Sequence, residues 1–263
     1  MVGKQVSLNI ERTAPVNPQD RIELKNVTTL NAEGVKAIDN LSFTIRSGEI
    51  LGIAGIAGSG QRELLETIAG LQRPENGEII YYSPEGETVD LKAKTPTQIK
   101  ELGVRLVGNM DIIDNMMLRS YKKGNSAFLD RKDPKKLAEK IIESLEVVTP
   151  GATTPVRRLS GGNVQKVLVG REIAANPKVL MAAYPVRGLD INSSYMIYNL
   201  LTKQKENGVA VVFVGEDLDV LVELCDRIMV INSGKITGML DGRNTTKEEI
   251  GLLMTKTEAR EEA

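Results

Sequence analysis

The sequence predicts an α/β fold, a mostly parallel sheet carrying an antiparallel β layer at its N-terminal end. Short apolar runs such as VLMAA at 179–183 and VAVVFV at 209–214 alternate with longer helical patterns. That alternation marks strands buried on both faces and joined by crossover helices. The earliest strands lie closer together and are joined by turn residues, Asn31-Ala32-Glu33-Gly34, as in an antiparallel layer. With 263 residues, 41% hydrophobic and 26% charged, the chain is an ordinary globular mixture, enough for one large domain or two small ones.

In chain order, the strand candidates are 21–28, 40–45, 50–54, 78–82, 179–183, 209–214, 227–231 and 235–239. Each is a run of Val, Ile, Leu or Ala bounded by polar or turn residues. Helical periodicity covers 61–69, 134–145, 163–175 and 191–206. The stretch 106–155 has little strand signal and several helical patches, and is expected to be a helical insertion. The resulting division is a linker over 1–20, a core over 21–105 and 176–257, a helical subdomain over 106–175, and a frayed charged tail over 258–263.

Composition excludes several classes. The net charge is −1, with no basic stripe of a nucleic-acid binder. No apolar run approaches the roughly 18 residues of a membrane span. Residues 1–20 are polar and have no secretory apolar region. There is no histidine, which removes histidine bases, Ser-His-Asp triads and ordinary zinc sites. The single cysteine, Cys225, excludes an internal disulfide and makes a reduced cytosolic compartment the expectation.

The first chemical motif is GIAGIAGSGQRELL, beginning at Gly52. A strand candidate runs into Gly55-Ile56-Ala57-Gly58-Ser59-Gly60, and a helix pattern starts at Gln61. Glycines let the backbone turn tightly and aim N–H groups into one concavity, and the helix adds its positive end. The spacing Gly55-x-x-x-x-Gly60 is that of a phosphate loop, in which Lys and then Ser or Thr follow. Here Gln61 and Arg62 stand in those places. Gln61 still donates a hydrogen bond but carries no charge. A charge-assisted bond contributes about 1.5–3 kcal/mol against about 1 for a neutral one. On the loop alone, a glycine-rich turn that never meets phosphate remains open.

The second motif is Arg158-Leu159-Ser160-Gly161-Gly162-Asn163-Val164-Gln165-Lys166-Val167. Ser160 is expected to cap the following helix, with Gly161 and Gly162 letting a phosphate approach the backbone. It lies about 100 residues after the glycine loop and precedes a strand running into Ala183-Tyr184-Pro185-Val186-Arg187-Gly188-Leu189-Asp190. With these residues the chain resembles an ATP-binding-cassette ATPase domain, from about Arg21 to Met239. It is most similar to the second cassette of tandem ATPase subunits in bacterial simple-sugar and nucleoside importers. GIAGIAGSGQREL, LSGGNVQKVLVGREI, the strand into YPVRGLD, and FVGEDLDVLVELCDRIMVINSGKITG carry the finer match.

The resemblance implies a P-loop NTPase fold with a helical signature subdomain, and a C-terminal half of a longer protein. It implies ATP as ligand, Gly55 to Arg62 as the nucleotide loop, and Leu159, Ser160, Gly161, Gly162 and Gln165 as a signature acting in trans. Partners would be an active cassette, with Asp190 at the contact, and transmembrane permease subunits, at the inner face of the cell membrane. The departures fall on catalytic parts. Ala183 and Tyr184 replace the Walker B Asp and Glu, so neither holds metal nor accepts a proton at neutral pH. Glu216 stands in the switch-histidine place. No aromatic residue between Arg21 and Ser42 is available to stack on adenine. About ten residues of the family pattern, with its coupling glutamine, are missing near Leu106. ATP binding is therefore expected to be weak or residual, with no Mg2+ held by this chain alone. Two alternatives stay open: an interaction or regulatory module that has lost nucleotide, and a P-loop enzyme with relocated groups, against which the absent Lys, acid and histidine argue.

Other features have plainer readings. Asp111, Asp114 and Met116–Met117 fit a solvated helix with methionine filling a core. Cys225 lies in an apolar pattern and is expected to be buried and inert. The run Arg131-Lys132-Asp133-Pro134 reads as a helix start, with Asp133 capping and Pro134 at the first helical position.

Overall fold

The computed structural model describes residues 10, 12–107, 132–152, 154 and 158–256, with side chains from 138 onward in the helix that starts at Lys132. Strand β1 (Asp20–Leu30) pairs antiparallel with β2 (Lys36–Arg46) and with β4 (Asn76–Tyr82), which pairs antiparallel with β5 (Thr88–Asp90). This gives a four-stranded layer in the order β2-β1-β4-β5. The β1–β2 turn is the expected one. Gly34 donates to the Asn31 carbonyl at 3.0 Å, and the Asn31 Oδ1 accepts from the Glu33 and Val35 amides.

The second sheet has the order β10-β9-β3-β8-β7-β6. It comprises β3 (Ile50–Ala54), β6 (Val104–Val107), β7 (Val179–Ala183), β8 (Ala210–Val214), β9 (Arg227–Asn232) and β10 (Lys235–Asp241). All pairs are parallel except β9–β10. Every residue of β3 and β8 is buried, which is why these segments read as unbroken apolar runs.

One core cluster fills the space between the two sheets, with Ile22, Ile45, Leu64, Tyr81, Met181 and Met229 among its members. A second lies on the opposite face of the parallel sheet and includes Leu180, Ile197, Phe213, Leu221 and Ile228. The helices are α1 (Gln61–Ile68), α2 (Pro96–Glu101), α3 (Lys132–Ser144), α4 (Gly161–Ile173), α5 (Ile191–Glu206), α6 (Leu218–Leu224) and α7 (Lys247–Thr255). A third, smaller cluster of Ile141, Leu145 and Val147, with Leu159 and Val167 against it, joins α3 to α4.

Several boundaries differ from expectation. The core strand β6 runs to Val107, past the limit set at residue 105. Helix α4 starts at Gly161 rather than 163, because Ser160 caps it. Helix α3 begins at Lys132 rather than at Pro134, so Asp133 lies within its first turn and not before it. Segment 12–19, read as linker, is tied to the body. Arg12 Nη1 donates to the carbonyls of Val222, Cys225 and Gly242, and Gln19 N–H donates to Ser47 Oγ. Asp111, Asp114, Met116, Met117 and the tail 258–263 lie outside the described residues.

Candidate nucleotide site and signature turn

Parallel register brings three sequence-distant segments to one edge. Ile53 of β3 and Ala183 of β7 both stand opposite Val214 of β8. The chain leaves these strands as the glycine loop, as Tyr184 and as Gly215-Glu216, three neighbours at the C-terminal ends of the strands. Ligands in open parallel sheets bind at such edges.

The loop is held on its outer side. Ser59 N–H donates to the Ile56 carbonyl at 3.1 Å, and Gly234 N–H donates to the Ser59 carbonyl at 3.0 Å. Gly60 has φ 104° and caps α1 without a side chain. A Cβ there would strike the Ala37 carbonyl of β2, so only glycine fits. The first N–H groups of α1 have no intrahelical acceptor, and an anion is their natural partner.

The two departures from the phosphate-loop pattern behave differently. Gln61 is buried, and its Nε2 donates to the Ile56 carbonyl at 3.1 Å. Its amide stays on the loop instead of extending beyond it. Arg62 lies in solvent and pairs with Glu66 one turn on, Nε to Oε1 at 2.7 Å. That hydrogen bond raises its pKa and occupies the guanidinium away from the loop.

Ala183 closes β7 with a methyl group, and no carboxylate follows it. Tyr184 has φ 49°, a left-handed backbone that is strained for a bulky residue. Its N–H donates to the Val214 carbonyl at 2.8 Å, and its carbonyl accepts from Arg187 N–H at 3.2 Å. The half-buried phenol has its pKa raised, first by burial and then by Glu216. Tyr184 therefore stays neutral between the loop helix and the exposed Glu216. Among the described residues, no group of three or more His, Cys, Asp or Glu is arranged to hold a metal ion. None of their helices is long and apolar enough to cross a membrane.

The signature turn stands apart, at the N-terminus of α4. Ser160 Oγ accepts from Asn163 N–H at 3.4 Å and from Asn163 Nδ2 at 2.9 Å. Gly161 is exposed, with nothing within 4 Å of a Cβ placed on it, whereas a Cβ on Gly162 would meet Leu189 at 3.0 Å. Leu159 packs into the third cluster, and Gln165 is buried with Nε2 unbonded. The Gly162–Leu189 contact seats the turn against Gly188-Leu189-Asp190. Asp190 caps α5, accepting from Ser193 N–H at 2.9 Å and Ser193 Oγ at 2.7 Å, and these bonds hold its carboxyl below its ordinary value. Asn163 was not singled out in the sequence; its partner Val148 lies 15 residues away, and only the fold unites them.

The fold and the two glycine turns define a P-loop ATP-binding-cassette domain. A family model described as ABC transporter matches residues 38–185, more than half of the chain, and the chain belongs to that family. It is 36% identical over 267 residues to the guanosine import ATP-binding protein NupO of Bacillus subtilis, covering 97% of this chain and 51% of NupO. The nucleoside import ATP-binding protein NupA of Lactococcus lactis is 34% identical, covering 97% of this chain and 52% of NupA. The chain thus spans about half the length of these relatives. In fold it is similar to the ADP conformation of MJ1267, an ATP-binding cassette of an ABC transporter. The TM-score is 0.69 at 21% identity, over 90% of this chain and 95% of that one.

Proposed function

We propose that this chain is the nucleotide-binding domain of a simple-sugar or nucleoside importer, and the second, degenerate cassette of a tandem subunit. In this reading its own loop, Gly55 to Arg62, holds ATP weakly and without Mg2+. Its signature, Leu159 to Gly162 with Gln165, completes the ATP site of an active partner cassette. A permease at the inner face of the membrane is the third component. The names of the two relatives support import of nucleosides, and their double length supports a tandem arrangement.

The observation that carries the reading is the contrast between the two turns. At the sheet edge, Gln61 stands in place of the lysine, and Ala183 and Tyr184 offer neither a metal carboxylate nor a general base in the Walker B positions. At α4 the serine and the first glycine are exposed on a capped helix end. When ATP is bound, the loop's backbone N–H groups would meet its phosphates, while Ala183 and Tyr184 supply no proton acceptor for an attacking water. The test is ATP turnover by the chain alone and beside its partner cassette. The reading expects none alone, and turnover with the partner that drops when Ser160 is replaced. Mg2+-dependent turnover by the isolated chain, abolished by changing Gln61, is the result against it.

The Gln61–Ile56 bond favours a second reading, in which the loop is closed on itself and takes no nucleotide. Calorimetric titration with ATP separates the two. Micromolar binding insensitive to Mg2+ supports a working phosphate loop, and no binding at millimolar ATP supports a remnant.

A further inference from the structure

We propose that Asn163 is a positioning residue that fixes the Ser160 hydroxyl as an outward hydrogen-bond donor. The inference rests on the trans-acting signature proposed above and explains how this chain aims it. The geometry determines the orientation of the Asn163 side chain. The Val148 backbone N–H lies 2.9 Å from one end of the carboxamide. A backbone N–H only donates, so that end is the carbonyl Oδ1. The other end is therefore Nδ2, a donor, and it faces Ser160 Oγ at 2.9 Å. The Asn163 backbone N–H donates to the same oxygen at 3.4 Å.

A serine hydroxyl has two lone pairs and one proton. Both lone pairs are engaged by Asn163, so the hydroxyl proton is not needed within the turn. Ser160 is exposed and stands beside an open Gly161. Its O–H is thereby poised to donate to an acceptor brought from outside, and a phosphate oxygen is an acceptor without donors when ionised. Donation to an ionised oxygen is the stronger kind of hydrogen bond.

The bracing extends into the helical subdomain. Helix α3 ends at Ser144, and Glu146 follows with φ 48°. The turn after it clasps α4 twice. Val148 N–H donates to Asn163, and Lys166 Nζ, one turn further along α4, donates to the Glu146 carbonyl at 3.4 Å. Residues three apart share a helix face, so the α3 turn sets the azimuth of the face that carries Asn163. Ser160 is thus oriented by the subdomain as well as by its own helix.

The test is a double-mutant cycle in the chain assembled with its partner cassette and permease, read as kcat/KM for ATP–Mg2+. Ser160→Gly removes the hydroxyl while keeping a residue tolerated at a helix cap. Asn163→Ala keeps the backbone bond and removes the carboxamide. Each single change is expected to lower kcat/KM about tenfold, and the double change no further, because both act through one hydroxyl. Thermal melting of each variant confirms that it folds. No effect of Ser160→Gly overturns the trans-acting signature itself. A loss with Ser160→Gly but none with Asn163→Ala, or losses that multiply in the double variant, overturns the role of Asn163 alone. A second variant, Asn163→Asp, keeps an acceptor for Val148 but draws the serine proton inward; native turnover by it overturns the role as well.

Discussion

Gln61 donates its side-chain amide to the Ile56 carbonyl at 3.1 Å, so the residue in the lysine position of the phosphate-loop pattern bonds to the glycine loop itself. A lysine there has no neutral amide to share and carries its charge to the phosphates. Gln61→Lys is expected to tighten ATP binding about tenfold, from the difference between a charged and a neutral donor. It is expected to give no turnover, since Ala183 and Tyr184 are unchanged. Calorimetry on the full chain measures the first effect and phosphate release the second. Unchanged affinity would show that the loop does not meet phosphate.

Two glycines of the same loop predict different costs. Gly58 has φ 84° with nothing within 4 Å of an added Cβ, whereas at Gly60, φ 104°, the Cβ collides with the Ala37 backbone. Gly58→Ala bears only the left-handed penalty, about 1–2 kcal/mol. Gly60→Ala adds a clash that β2 must yield to, and is expected to cost about 3 kcal/mol or more in all. Urea unfolding midpoints check the order. Equal costs would mean that the packing of Gly60 on β2 contributes nothing.

Asp190 gives a prediction with a pH window. The two bonds from Ser193 hold its folded pKa below the ordinary 3.8. A carboxyl depressed on folding stabilises fully above its unfolded value and loses that stabilisation as pH falls through the folded one. Asp190→Asn is therefore expected to be less stable than the native chain at pH 7, with the gap narrowing below about pH 4. Paired melting curves at pH 7 and at low pH decide it; a gap that stays constant refutes the electrostatic account.

Much of this molecule was legible because burial writes simple patterns. The runs in β3, β7 and β8 are apolar throughout because both faces of the parallel sheet are covered. The elements missed left signals of another kind. Thr95-Pro96-Thr97-Gln98 is a capping box with proline at the start of α2, and Thr246 caps α7 by accepting from Glu249 N–H. Helix α6 has Asp217 as its cap. These short helices are specified at their ends rather than by long periodicity, and a search for apolar repeats passes over them. Strand β6 holds Arg105, whose guanidinium lies 3.9 Å from buried Glu172 of α4. A charge in a strand looks polar until its partner is in place. The same holds for the site. Both glycine turns are local in sequence and were visible, whereas Asn163–Val148 depends on how α3 and α4 pack.

The buried pair of Lys205 and Asp226 shows what such long-range partners contribute. Lys205 Nζ donates to Asp226 Oδ1 at 2.9 Å and to the Thr13 carbonyl at 2.6 Å, and Ile50 N–H donates to Asp226 Oδ2 at 2.9 Å. Lys205 is 2% exposed and Asp226 5%, so removing either partner leaves a charge out of water. The two are not equivalent. Without Lys205, Asp226 keeps the Ile50 amide and Arg243, whose Nη2 is 3.6 Å away. Without the carboxylate, Lys205 keeps only neutral acceptors. Asp226→Asn is therefore expected to cost about 3–5 kcal/mol, and Lys205→Met less. Adding Lys205→Met to Asp226→Asn is expected to recover stability, because the orphaned ammonium is gone and a side chain of similar length fills the space. Urea midpoints of the three variants measure the coupling. If the double variant is as unstable as the two single costs added together, the charges act independently and the orphaned ammonium is not the source of the cost of Asp226→Asn.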